Sequence, residues 1–253
     1  MISYFKRFFP NKKYSKITIA IKYIIFLNIA VSLFFFLFKI YTGKELQFYF
    51  GTYPTYSVHF HFYQLFTFLF VHSTSPIHLI SNGILLLLFS PFMELKIGIK
   101  KFVLTYFIFA WVGFVFVNYH YYKTKEIIEK RILVTGICPE KIQLNEIHEV
   151  SLSYLRQLNH NQRNAVLQYN DVTSKTYGAS GALYGIIAFY IVLNISNFRK
   201  TFFLFIGIYY VFKVIYSFFS LDIILLGSSY AHLGGMLTGL LFGLYIKLKD
   251  VIN

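Results

Sequence analysis

Long apolar runs flanked by basic residues dominate the sequence, and they decide what kind of fold the chain can adopt. A helical run of about 20 apolar residues crosses the hydrocarbon layer of a membrane. Hydrophobic residues make up 57% of the 253 positions and charged residues only 13%. That charged share is about half of what an ordinary soluble domain carries. The pattern predicts an all-α polytopic membrane protein.

Six apolar segments are candidates for the membrane-spanning helices. They cover residues 17–38, 78–92, 102–117, 180–195, 202–219 and 231–246. Residues 118–176 are charged, mixed in sign and without an apolar run of membrane length, which predicts an extramembrane insert between the third and fourth helices. The predicted organisation is a basic N-terminal segment (1–16), a transmembrane domain in two parts (17–117 and 177–247), the insert (118–176) and a short tail (248–253).

The distribution of charge orients these helices. Lys and Arg are concentrated at the N-terminus, in the loops 93–101 and 196–200, and at the C-terminus, whereas acids accompany the basic residues of the insert. Loops rich in Lys and Arg remain in the cytoplasm. We therefore expect a multi-pass protein of the bacterial cytoplasmic (inner) membrane, with both termini cytoplasmic and the insert outside. The net charge of +14 then reflects orientation in the lipid bilayer, and we expect no nucleic-acid partner.

One serine, Ser180, lies among glycines at the start of the fourth apolar segment. In a helix, Gly181 and Gly185 share one face, while Ser180 and Tyr184 share the neighbouring face. Two interpretations are open at this point. The small residues let two helices pack closely, with Ser180 bonded to its own helix, or Ser180 is a nucleophile.

Three further polar residues stand at the same predicted depth as Ser180. His78 and Asn82 are four positions apart in the second segment, and His232 opens the sixth. The second, fourth and sixth segments all run from outside to inside, so each residue lies near the outer end of its helix. A glycine stripe at positions 235, 239 and 243 can meet the glycines beside Ser180 closely enough for His232 to reach the serine.

These residue types support nucleophilic catalysis. A histidine within hydrogen-bond reach removes the proton of a serine hydroxyl and makes it a nucleophile. Acyl transfer also needs N–H donors at the developing oxyanion, which a neutral His78 and Asn82 can supply. No carboxylate is placed to orient His232, which favours a Ser-His dyad over a triad. Asn82 has a simpler alternative role, a hydrogen bond between helices.

At these residues the chain resembles the rhomboid family of intramembrane serine proteases. The family's Gly-x-Ser-Gly motif is similar to residues 178–181, and a further glycine follows at 185. Its Ala-His-x-x-Gly-x-x-x-Gly motif is similar to residues 231–239, and its His-x-x-x-Asn motif to residues 78–82. The resemblance covers about residues 17–117 and 177–247, and the insert is its main departure.

The resemblance implies a rhomboid-like bundle of six transmembrane helices and a set of residue roles. The protein would be an intramembrane serine endopeptidase that cleaves single-span membrane proteins near the outer end of their membrane helix, without a metal or cofactor. Ser180 would be the nucleophile and His232 the general base. His78 and Asn82 would form the oxyanion hole with the Ser180 backbone N–H. The supporting residues would be Tyr184, stacked on His232, and the glycines Gly178, Gly181, Gly235 and Gly239.

Two other classes of protein remain open. A catalytically inactive rhomboid-like protein would bind membrane clients, although the intact Ser180 and His232 argue against it. A small-solute transporter is expected to show internal repeats, which the sequence lacks. Intramembrane zinc and aspartyl proteases fit less well, because a His-Glu-x-x-His motif and paired membrane aspartates are missing.

Within the insert, residues 145–167 are predicted to form one amphipathic helix. Apolar residues recur at helical spacing, Asn145 can cap the start, and Arg residues lie late. The insert offers no obvious partner for the apolar face. We expect this face to pack on the outer loop 39–76 or to lie on the membrane. A passive surface insertion is the alternative, because longer loops cost little free energy.

Overall fold

The computed structural model describes residues 18–72, 76–139, 142, 150, 152–173, 176, 178–194, 207–212, 214–216 and 223–252. These residues form an all-α bundle, as the sequence predicts. The helices, in chain order, are α1 (Ile19–Thr42), α2 (Gln47–Phe50), α3 (Gln64–Thr67), α4 (Pro76–Ile97), α5 (Ile99–Val134), α6 (Leu152–Gln157), α7 (His160–Thr173), α8 (Ser180–Asn194) and α9 (Ile223–Ile252).

Four helices in the described part of the chain are long and apolar enough to cross a membrane: α1, α4, α5 and residues Ser228–Ile252 of α9. They correspond to the first, second, third and sixth predicted spans, and α1 begins at Ile19. Two shorter apolar helices, α8 and Gly207–Tyr216, occupy the positions of the fourth and fifth. The short α8 lies inside the bundle, and every side chain from Gly181 to Tyr190 is buried. Most of the predicted fifth span, and the basic segment 1–16, lie outside the described residues.

A buried carboxylate joins the end of α4 to the start of α1. Glu94 is 6% exposed and accepts hydrogen bonds from the backbone N–H groups of Ala20 and Ile21, at 3.2 and 3.3 Å. The Thr18 hydroxyl donates to the same carboxylate. Since α1 has no acidic residue in its first turn, Glu94 supplies the negative charge that favours a helix N-terminus. This contact fixes α1 against the end of α4 that is farthest from His78.

Helices α8 and α9 touch through their glycines. A Cβ added at Gly235 or Gly239 would collide with the carbonyl oxygen of Gly181 or Gly185, closer than real Cβ atoms approach any neighbour. A Cβ at Gly185 would lie 2.9 Å from the carbonyl oxygen of Gly235. This is the contact that the spacing of the glycines predicts, and it brings the two backbones together without intervening side chains.

The other side of α9 is held against α5 in the same way. A Cβ at Gly113 would lie 2.7 Å from the carbonyl oxygen of Ala231, and one at Gly234 would lie 2.8 Å from that of Val112. Sequence analysis did not single out Gly113 or Gly234. Because Ala231 precedes His232, contacts on both sides of α9 determine where the histidine stands.

The insert begins as a continuation of a membrane helix. Helix α5 passes residue 117 without interruption and ends at Val134, so the domain boundary at 118 stays a prediction. The prediction of a single helix over 145–167 is wrong within residues 152–167, because these residues belong to two helices, α6 and α7. Asn159 caps the start of α7. Its side chain accepts from the Gln162 N–H at 2.9 Å, and Gln162 Oε1 accepts from the Asn159 N–H at 3.2 Å. Residues 145–149 lie outside the described residues.

The apolar face of the insert has a partner within the insert itself. Ile128 and Ile132 of α5 are 2% and 0% exposed, and they cluster with Val166 of α7. Leu155 and Leu158 pack against the same cluster. The expectation that this face packs on the outer loop or on the membrane is therefore wrong, because α5 extends far enough beyond the bundle to cover it.

Two contacts tie the insert to the outer loop. Thr55 donates its backbone N–H to Asn118 Oδ1 at 2.8 Å. Thr52 and Thr176 form an antiparallel bridge, in which each backbone nitrogen lies 2.9 or 2.7 Å from the carbonyl oxygen of the other residue. The loop after α1 is thus joined to both ends of the insert.

We expect Gly235→Ala to lower the thermal stability of the protein in detergent micelles. The added methyl group collides with the backbone of α8, and overpacking of this kind costs about 1–3 kcal/mol of unfolding free energy. Gly83→Ala is the matched control, because a Cβ at Gly83 meets nothing within 4 Å and alanine favours a helix. Equal melting temperatures for the two variants would contradict the contact.

Candidate active site

The structure brings the four predicted polar residues, Ser180, His232, His78 and Asn82, to the wall of one cavity of about 540 Å³. Three helices supply them: α4 gives His78 and Asn82, α8 gives Ser180, and α9 gives His232. The remaining residues of the wall are Ile77, Ser81, Leu85, Tyr121, Thr176, Leu183, Tyr184, Tyr210 and Ser228. The cavity therefore lies at the end of the bundle where α4 and α8 begin.

Ser180 is the first residue of α8. The chain reaches it through Gly178, whose φ of 103° lies in the left-handed region that glycine tolerates. The Gly178 N–H donates to the carbonyl oxygen of Phe68 at 2.8 Å, which anchors this turn. The N–H groups of a first helical turn have no acceptor within the helix and favour negative charge. The backbone at Ser180 is thus suited to an oxyanion.

The imidazole of His232 is stacked on the ring of Tyr184. Their centroids are 4.0 Å apart, with an interplanar angle of 16°. Tyr184 stands one turn after Ser180 in α8, and Tyr210 contacts its ring from the side at 5.7 Å and 80°. The stacking expected for Tyr184 is present, and it fixes the plane of the histidine ring beside the helix that carries the serine.

His78 and Asn82 lie directly against Gly178. A Cβ at Gly178 would be 2.9 Å from His78 Cε1 and 3.7 Å from Asn82 Nδ2. Asn82 is only 5% exposed, and its Nδ2 has no hydrogen-bond acceptor among the described residues. A buried amide N–H without an acceptor costs about 1–3 kcal/mol. An oxygen atom bound in the cavity would satisfy it.

His72 lies behind His78. Their rings meet edge to face at 5.3 Å, and the Phe70 carbonyl oxygen lies 3.3 Å from His72 Nδ1. Burial, together with the nearby His78, lowers the pKa of His72 to about 4. His72 is therefore neutral at physiological pH and adds no positive charge beside the cavity.

The sequence did not single out most of the other wall residues, and Ser228, Tyr210 and Tyr121 are three of them. Ser228 stands four positions before His232 on α9, and helical spacing from the histidine could have identified it. Tyr210 belongs to a span without any motif. Tyr121 comes from the part of α5 that was assigned to the insert, so no sequence signal connected it with Ser180.

A comparison with protein-family models identifies the family. The model described as Rhomboid domain matches residues 59–138 and 150–249 of this chain. The chain belongs to the rhomboid family. No curated protein and no solved structure matches it. As a rhomboid with several apolar helices, it is an integral multi-pass membrane protein.

The rhomboid match contains every predicted site residue and also reaches into the insert. It includes α5 and both insert helices, and it omits residues 139–149. Among the described residues, no group of three or more His, Cys, Asp or Glu side chains lies close enough to hold a metal ion. The arrangement offers a serine, an imidazole and buried N–H donors, which are the groups that acyl transfer requires.

Proposed function

We propose that this rhomboid is an intramembrane serine endopeptidase with a catalytic dyad of Ser180 and His232. One observation carries the proposal. A single cavity contains the serine at the start of α8, the histidine whose ring is stacked one turn further along that helix, and Asn82 with an unpaired buried N–H group. The groups that would serve as nucleophile, base and oxyanion donor thus line the same cavity.

In the proposed reaction, His232 takes the proton of the Ser180 hydroxyl while Oγ attacks the carbonyl carbon of the scissile peptide bond. The carbonyl oxygen becomes an oxyanion, which accepts hydrogen bonds from Asn82, His78 and the Ser180 N–H. The C–N bond breaks, and His232 gives its proton to the departing amine. Water then attacks the acyl-enzyme, again with His232 as the base, and releases the new carboxyl group and the free serine.

Single-span membrane proteins are the proposed substrates, cut near the outer end of their membrane helix. In a regular helix the carbonyl oxygens accept backbone hydrogen bonds and the carbonyl carbons are shielded, so the segment must unwind before Ser180 can attack. Weak helix formers at the cleavage site reduce the free energy of that unwinding. The orientation follows from the basic loops: both termini are proposed to be cytoplasmic, with the cavity and insert on the outer side of the bacterial inner membrane.

We expect Ser180→Ala and His232→Ala each to abolish cleavage of a single-span substrate, because the nucleophile and its base act as one unit. The measurement uses purified protein in proteoliposomes. Labelling by a fluorophosphonate probe should map to Ser180 in the wild type and disappear in Ser180→Ala.

Melting temperatures serve as the control, since both variants should stay folded. Substantial proteolysis by Ser180→Ala would disprove the dyad. Folded wild-type protein that binds substrates but neither cleaves them nor reacts with the probe would support the alternative, an inactive rhomboid that binds membrane clients.

We expect Asn82→Ala to lower kcat by about 10²–10³ with little change in KM, because a single oxyanion donor acts in the transition state. Asn194→Ala is the matched control. Asn194 is also buried, at 3% exposure, but its amide donates to the Tyr190 carbonyl oxygen within α8 at 2.8 Å. Its replacement should lower stability and leave kcat unchanged. An unchanged kcat in Asn82→Ala, with a lower melting temperature, would assign Asn82 to helix packing.

We expect Tyr121→Ala to change which substrates are cut. This ring lines the cavity and also packs on the apolar cluster of the insert. It is therefore a residue through which the insert can contact a substrate in the cavity. Tyr122→Ala is the control, because Tyr122 is 67% exposed and does not line the cavity. Cleavage sites are mapped by mass spectrometry over a panel of substrates. Identical profiles for the two variants would mean that the insert is passive.

A further inference from the structure

A second cavity, of about 850 Å³, lies on the opposite side of α4 from the candidate active site. The two cavities share no lining residue. Pro76 and Leu79 of α4 line the second one, whereas their neighbours Ile77 and His78 line the first. The proposed reaction does not use this second space.

One wall of the second cavity is apolar and belongs to a membrane helix. Leu33, Phe36 and Ile40 of α1 line it, and they are 53%, 60% and 67% exposed. Helix α1 is long and apolar enough to cross a membrane. Its outward side chains therefore face acyl chains, and the cavity is open to molecules from the bilayer.

The end of the cavity beside the last turn of α1 carries charges of both signs. Lys39 of α1 forms an ion pair with Glu45 of the following loop. Gln47 donates its side-chain N–H to the other carboxylate oxygen of Glu45 at 2.8 Å. All three residues line the cavity. A cation and an anion side by side complement a group that carries one charge of each sign.

Two residues that line the second cavity, Ser32 and His72, each have a buried polar atom without a hydrogen-bond partner among the described residues. These atoms are Ser32 Oγ and His72 Nε2. His72 is only 4% exposed. Its Nδ1 faces the Phe70 carbonyl oxygen and, in the tautomer that makes this hydrogen bond, carries the proton. Nε2 is then a buried acceptor to which no described residue donates a hydrogen.

We propose that this cavity binds one glycerophospholipid with a zwitterionic primary-amine headgroup. An acyl chain lies along the apolar wall of α1, the phosphate meets Lys39, and the ammonium group donates to Glu45 and toward His72. Phosphatidylethanolamine has this chemistry. Phosphatidylcholine has the same charges but no N–H donor, and phosphatidylglycerol has hydroxyl donors but no cation.

Binding at this site is linked to the candidate active site through a pair of rings. His72 contacts His78 edge to face, and His78 lies against Gly178. A hydrogen bond to His72 Nε2 therefore restrains the ring that supports His78. This effect on catalysis rests on the proposed function, whereas lipid binding itself does not.

Native mass spectrometry of the full chain, with each lipid added at equal mole fraction in detergent, tests the binding. We expect one retained phosphatidylethanolamine, with affinity at least about tenfold above that for phosphatidylcholine, as for loss of a hydrogen bond to a charged group. Glu45→Gln should reduce the difference between these two lipids, because the ammonium group loses its charged acceptor. Equal retention of all three lipids by the wild type, or a preference for phosphatidylglycerol, would overturn the proposal.

A pair of tryptophan variants locates the bound lipid. Leu33→Trp fills the cavity and should abolish retention, whereas Leu37→Trp should not, because Leu37 is also 53% exposed but does not line the cavity. Melting temperatures without lipid confirm that both variants fold. Equal retention by the two variants would show unspecific surface lipid and refute the site.

The link to catalysis is tested by the rate of fluorophosphonate labelling in vesicles of phosphatidylethanolamine or phosphatidylcholine. We expect faster labelling in phosphatidylethanolamine for the wild type, and no difference for Leu33→Trp. Specific retention of lipid with equal labelling rates would refute the link and leave the site standing. No labelling in either lipid would count against the proposed function, while the mass spectra still decide the binding.

Discussion

Contact between the glycines of α8 and α9 is the interaction on which the site depends. Because a Cβ at Gly235 or Gly239 would collide with α8 backbone, the two helices approach as closely as backbones can. At that separation the His232 ring stacks on Tyr184, one turn from Ser180. Dispersion over a close backbone contact replaces the hydrophobic effect as the force between helices in lipid. The glycines thus determine both the stability of the pair and the position of its polar groups.

Helix α4 forms the third side of the site, and it contributes polar side chains rather than glycines. Gly178 supplies the space, because any larger residue would displace His78. At the other end of α4, Glu94 accepts from the first N–H groups of α1, which fixes α4 along its axis. A helix held at both ends keeps Asn82 buried beside the cavity, where its unpaired N–H is costly for folding and favourable for an incoming oxygen.

Much of this arrangement could be predicted from the sequence because it depends on periodicity. Hydropathy predicted that Ser180 and His232 stand near the ends of their apolar segments, and the four-residue spacing of the glycines predicted the contact between α8 and α9. Tyr121 was missed because the apolar run ends at residue 117, while α5 continues as a helix as far as Val134. The break before Asn159 was missed because regular apolar spacing continues across it, although its capping pair with Gln162 is readable.

That continuous helix changes how the insert relates to the site. Asn118 of α5 binds the outer loop at Thr55. Two residues later, His120 is stacked on Tyr230 of α9, with centroids 4.2 Å apart and 13° between the planes. Tyr230 lies two residues before His232. One helix thus joins the outer loop, the core of the insert and the segment that carries the proposed base.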